Sequence, residues 1–179
     1  MPDTGNVAGS EWHETMRSGE RVLIRRLRPE DVALYPDFLS DVSTEDLRLR
    51  FFARITELSA EEIKKLAHLD YSHEMAFVAL DEDTGRLLGL VRLKDELDEE
   101  TAEFTILVRS RLQGHGLGWL LMRRVIAYAK DKGLRRVYGD VLAENTTMLR
   151  MCAELGFRAE DRGSHLRRVV LDLKHIGGE

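Results

Sequence analysis

The chain has 179 residues, 43% hydrophobic and 33% charged, and a net charge of −5, a length and composition that fit one globular domain able to bury a core without staples. A sequence isoelectric point near 5.7 argues against a nucleic-acid partner, which calls for a concentrated basic face. The single cysteine, Cys152, excludes an intrachain disulfide, and no apolar run reaches the ~20 residues of a membrane span.

Residues 1 to about 18 are polar and aperiodic and read as a mobile leader, so residues 1–19 are set apart from a single domain over 20–179. The start has neither the basic flank nor the apolar centre of a signal peptide, and with the lone cysteine this points to the cytoplasm. Val22 to Arg28 alternates apolar and basic residues as a half-buried strand does, and Pro29 ends it while opening a helix to about Leu39, kinked or shortened at Pro36. Ser43-Thr44-Glu45-Asp46 is a helix start. Ser59 with Glu62 forms a capping box for another helix, whose apolar face is Ile63, Leu66, Ala67 and Leu69.

Met75 to Leu80 and Leu87 to Leu93 are short apolar runs joined by Asp81-Glu82-Asp83-Thr84-Gly85, the pattern of an antiparallel hairpin. An acidic loop leads to a strand over Thr101 to Val108, then to a glycine-rich turn and a helix from about Gly116 to Lys132, stopped by Gly133. Leu134 to Leu142 reads as a strand, Asn145 to Leu155 as a helix stopped by Gly156, and Phe157 to Arg162 with His165 to Leu173 as a closing pair of strands. This order gives an α/β fold: a mixed sheet with helices on both faces.

Three features carry chemistry. Gly114, Gly116 and Gly118 leave main-chain N–H groups open to a ligand at the positive end of the helix, which suits a diphosphate; a purely steric turn uses the same residues. The spacing does not match the dinucleotide fingerprint, and the turn lies late in the domain. Glu103 sits inside an apolar strand, sharing a face with Thr105 and Leu107, where a carboxylate is either solvated or a general base. Charge is also unevenly spread. Asp95, Glu96, Asp98, Glu99, Glu100 and Glu103 cluster before the turn, while Arg135, Arg136, Arg150, Arg158, Arg162, Arg167 and Arg168 follow it. Such halves either receive a cationic substrate and an anionic cofactor or are solvated faces.

Gln113-Gly114-His115-Gly116-Leu117-Gly118 matches the pattern Q/R-x-x-G-x-G/A that marks the GNAT superfamily of acyl-CoA-dependent N-acetyltransferases, and Asn145 followed by Leu155-Gly156-Phe157 resembles a later segment of it. The likeness runs from about Val22 to Leu173. RRLRPED (25–31), EDLRLRFF (45–52), LDYSHEMAFVAL (69–80) and AEFTILVRSRLQGHGLG (102–118) look more narrowly like the acetyltransferase domain of bacterial protein lysine acetyltransferases. The resemblance implies a mostly antiparallel sheet of six to seven strands and acetyl-CoA as co-substrate. It implies transfer to lysine amines of proteins such as acyl-CoA synthetases, by a monomer or homodimer with no nucleic-acid or membrane partner.

Carried over by position, the resemblance makes Glu103 the general base. It places main-chain groups of Leu107 and Val108 on the pantetheine arm, with the Val108 N–H polarising the thioester carbonyl. Gln113, Gly114, His115, Gly116, Leu117 and Gly118 would hold the pyrophosphate, and Asn145 would complete the groove. Many family members carry a tyrosine seven residues after that asparagine as general acid; here the position is Cys152, either a packing residue or an acyl-accepting nucleophile. His68, Tyr71 and His73 either line an acceptor groove or serve structure. No histidine and cysteine spacing suggests a metal. Two other readings stay open: a small-molecule amine as acceptor, and an acyl-CoA sensor that transfers nothing.

Overall fold

A computed structural model describes residues 11–42, 72–112, 114, 116–163 and 165–173. The expected helix starts at Ser43 and Ser59, with His68 and Tyr71, lie outside these residues, as do Gln113 and His115. Alternating apolar segments form eight strands: β1 (Trp12–Thr15), β2 (Arg21–Arg26), β3 (Glu74–Asp81), β4 (Leu87–Asp95), β5 (Thr101–Val108), β6 (Arg136–Leu142), β7 (Arg158–Asp161) and β8 (Leu166–Asp172). They make one sheet in the order β1-β2-β3-β4-β5-β6-β8-β7. Every neighbouring pair is antiparallel except β5 with β6.

Three α-helices are described: α1 (Tyr35–Ser40), α2 (Leu117–Lys132) and α3 (Thr146–Glu154). On α2, Leu117, Leu121, Met122, Val125, Ile126 and Ala129 are buried, the 3.6-residue stripe that its sequence announces. They pack on Phe77, Val91, Phe104, Val108, Val137 and Val169, so the main core lies between the sheet and α2 and α3. A second core on the opposite face gathers Tyr35 and Phe38 of α1 against Val78, Leu87, Leu90 and Leu107. Helices therefore cover both faces, as expected for the α/β class.

Two expectations change. The strand count among the described residues is eight, because Trp12–Thr15, read as leader, pairs with β2 from Trp12↔Ile24 to Thr15↔Arg21. Trp12 meets Phe77 edge-on at 5.7 Å and lies under the Arg124 guanidinium at 4.5 Å. A four-residue strand with one apolar side chain is too short to show a period of two. The helix after Pro29 also divides, into a 3₁₀ segment Pro29–Leu34 and then α1, with Pro36 in the first turn of α1. A proline there lacks only an N–H that has no intrahelical partner, so it begins a helix instead of kinking one.

Candidate active site

The β5–β6 junction creates the site. In an antiparallel ladder, residues alternate between bonding across and pointing away. The Glu96 N–H donates to the Thr101 carbonyl at 2.8 Å and the Arg109 N–H to the Leu88 carbonyl at 3.0 Å. These bonds fix the phase of β4–β5 at both ends. Glu103, Thr105 and Leu107 thus turn their main-chain groups to β4, while Phe104, Ile106 and Val108 turn theirs towards β6. Yet β6 pairs with β5 only from Thr101↔Arg136 to Glu103↔Tyr138. Beyond that the strands part, and Ile106 and Val108 present N–H and C=O groups to the opening. Leu107 does not share this orientation: its main chain belongs to the β4 ladder and its side chain to the core beneath α1.

The turn sits at the wide end of the opening. Gly114 and Gly116 have φ of 84° and 93°, and space is open where a Cβ would project from either. This left-handed backbone is what a non-glycine residue resists, and at Gly116 it forms the cap from which α2 starts. Leu117 opens α2 and packs into the main core. A Cβ on Gly118 would lie 3.4 Å from the Met151 sulfur, which shows how closely the first turn of α2 approaches α3. Asn145 caps α3, its Oδ1 accepting from the Met148 N–H at 3.2 Å.

Beneath the turn lies a residue that sequence reading passed over. Arg109 follows Val108 directly, and its side chain is fully buried. Its Nε donates to the Leu87 carbonyl at 2.7 Å, Nη2 to Asp37 Oδ2 at 2.7 Å, and Nη1 to Asp41 Oδ2 at 3.1 Å. The Ser110 N–H donates to the Asp41 carbonyl at 3.1 Å. Arg86 and Arg111 reach the same two carboxylates from outside. Hydrogen bonds from Arg86 and Arg109 hold the Asp37 carboxyl far below the usual range, and Arg109, then Arg111, lowers that of Asp41. The end of β5 is thereby tied to α1. Arginine after a strand usually reads as solvated, so nothing local marks this one.

Glu103 lies at the narrow end, half-buried on the face opposite α2. Tyr138 stands beside it in register, and its hydroxyl donates to Glu96. Asp140, two residues along β6, accepts from Arg168 through both oxygens, at 2.9 and 3.0 Å. Arg168 lies 4.5 Å from the centre of the Tyr138 ring. Of these three carboxylates Glu96 and Asp140 are engaged, whereas Glu103 takes no hydrogen bond or ion pair among the described residues. Burial, then the charges of Asp140 and Glu96, push the Glu103 carboxyl up; Arg168 and Lys94 oppose them. The same burial and the bond to Glu96 raise the Tyr138 phenol, which stays protonated.

A model of the Acetyltransferase (GNAT) family matches residues 39–157. The chain belongs to that family. An acetyltransferase of Pseudomonas aeruginosa is 35% identical over 153 residues, covering 84% of this chain and 82% of its own length. The GNAT domain of S. lividans PAT superposes with a TM-score of 0.84 at 25% identity, over 91% of this chain and 97% of that one. A spermidine N-acetyltransferase from Vibrio cholerae, in complex with CoA and spermine, superposes at 0.70 with 23% identity, over 86% and 96%. This chain is thus an acetyl-CoA-dependent acetyltransferase.

Cys152, at the position where many GNAT enzymes carry tyrosine, is fully buried, and burial pushes its thiol up to about 12. Neither a thiolate nucleophile nor a proton exchange with solvent suits it. His73 is exposed beside β3. Among the described residues no group of histidine, cysteine or carboxylate side chains is placed to hold a metal, and no helix is long and apolar enough to cross a membrane.

Proposed function

We propose that this acetyltransferase moves the acetyl group of acetyl-CoA to the side-chain amine of lysine in a protein substrate such as an acyl-CoA synthetase, with Glu103 as general base. The observation that supports it is the Glu103 carboxylate, unpaired among the described residues, at the narrow end of the β5–β6 opening. A lysine amine is protonated at neutral pH, with an ordinary pKa near 10.4, and must lose a proton before it attacks. A carboxyl raised by burial takes that proton better than an exposed one. The amine nitrogen bonds to the thioester carbon and sheds its second proton to water, the C–S bond breaks, and the CoA thiolate leaves and takes a proton back from water because Cys152 is sealed off.

In this reading the Val108 N–H faces the carbonyl oxygen as it becomes anionic, an interaction worth roughly 3 kcal/mol in comparable sites. Gly114, Gly116, Leu117 and Gly118 offer main-chain donors to the pyrophosphate, with Gln113 and His115 of the same turn. The Asn145 amide nitrogen, unused in capping α3, is left for the ligand. The preference for a protein acceptor rests on the likeness to the PAT domain. Replacing Glu103 by glutamine is expected to lower transfer by about 10²–10⁴-fold with acetyl-CoA affinity retained; unchanged turnover would overturn the assignment.

The second reading, a small polyamine as acceptor, draws on the carboxylates gathered on the Glu103 face and on the neighbour that binds spermine. Acetylation of a panel of protein lysines against a panel of free amines separates the two. CoA released with neither panel would leave a sensor without transfer.

A further inference from the structure

Asp140 and Arg168 are absorbed by neither the base nor the cofactor turn, although they stand on the Glu103 face one and two strands away. The fork of Arg168 is spent on Asp140, with both carboxylate oxygens bonded at 2.9 and 3.0 Å. Its guanidinium plane is held over the Tyr138 ring at 4.5 Å, and Tyr138 is the register partner of Glu103. The cation therefore lies near the base without bonding to it. Arg168 free of Asp140 would be drawn to the half-buried Glu103 and would quench it as a proton acceptor.

We infer that Arg168 and Asp140 are a positioning pair: each cancels the charge of the other beside Glu103, and together they set the pH at which the base becomes active. This inference rests on the reading of Glu103 as base. The charged and titratable groups on the Glu103 face among the described residues include Lys94 and Arg92 of β4, the latter held by Glu74 of β3, Glu96 of the loop before β5, Tyr138 and Asp140 of β6, and Arg168 of β8. Glu96 is occupied by the Tyr138 hydroxyl, and Lys94 is exposed, its charge spread into solvent. The compact, partly buried pair is the part of this set that a single substitution unbalances.

The two halves of the pair predict opposite signs. Arg168→Gln leaves the Asp140 carboxylate unopposed, so Glu103 holds its proton more tightly and the acid limb of kcat/KM moves to higher pH. Asp140→Asn leaves Arg168 unopposed and moves the limb to lower pH. Each shift is expected to be about one pH unit, or about tenfold in rate on the sloping part of the limb. Arg168→Lys keeps the charge and should bring the limb back towards wild type.

The experiment is a pH–rate profile of acetyl transfer for wild type, R168Q, R168K, D140N and E103Q, with circular dichroism and acetyl-CoA binding to confirm that each is folded. A purely structural role lowers the rate at every pH and moves both limbs alike. Limbs that coincide with wild type, or that shift in the same direction in R168Q and D140N, overturn the inference while E103Q remains inactive. An acid limb that persists at full height in E103Q overturns the base reading instead.

Discussion

Cys152 and Glu103 show how burial has opposite consequences for two kinds of ionisable group. Both are withdrawn from water and both shift up. A carboxyl shifted up gains strength as a base near neutrality, whereas a thiol at about 12 loses its reactive form. Cys152 is therefore expected to resist alkylation at pH 8 in the folded enzyme and to react fully once denatured. Cys152→Ala should keep turnover while costing ~1 kcal/mol of stability, read from a urea midpoint. Loss of turnover in that variant, with the fold intact, would return the cysteine to the mechanism. Glu103 was legible in the sequence because a carboxylate interrupting an apolar strand is conspicuous. Tyr138, Asp140 and Arg168 were not, since each is an ordinary residue of an amphipathic strand until the register places it beside Glu103.

Among the elements, the packing of Phe104 on Gly139 governs how β5 meets β6. A Cβ at 139 would lie 2.6 Å from the Phe104 ring, and that ring packs edge-on against Phe157 at 5.5 Å. The ring must shift to admit it. Gly139→Ala is expected to destabilise by ~1–3 kcal/mol, seen as a lower thermal midpoint. It should also weaken acetyl-CoA binding by displacing the banks of the opening. A stable variant with unchanged affinity would show that the ring yields.

The long helix, the hairpin and the glycine turn could be read directly, because periodicity of two and of 3.6 and the glycine spacing are local signals. β1 could not, being four residues long, and neither could the place of Arg109. Its partners Leu87, Asp37 and Asp41 are 22, 72 and 68 residues away, and no local pattern reaches that far.

For the molecule as a whole, the uneven charge seen along the chain is neutralised locally in space. Arg136 and Arg158 share Asp172, Arg162 meets Glu160, Arg167 meets Asp161, and Lys132 reaches back to Asp95. The arginine-rich last third is thus largely paired with its own carboxylates, and the picture of an acidic half facing a basic half dissolves. Asp37, Asp41 and Asp172 are all held below their ordinary pKa by arginines. A carboxyl depressed in the folded state stabilises above its unfolded pKa and ceases to do so as pH falls through the folded one. The contribution of these three carboxyls should accordingly be level from neutral pH to about 5 and decline below about pH 4, a course that thermal midpoints taken across that range will test. High salt should change it little at Arg109, which is shielded from solvent.

The three residue pairs between β5 and β6 have one more consequence. Among the described residues they are the sole ladder joining a five-stranded block to a three-stranded one, so the sheet carries a short seam where cooperativity is weakest. Amides of β6 and β8 in the free enzyme should exchange with deuterium sooner than those of β3 and β4. A ligand bonded to both banks adds rungs that the polypeptide lacks. Exchange across β6 and β8 should then slow when CoA is added, and by more than in β3, as if the cofactor were a ninth strand completing the sheet.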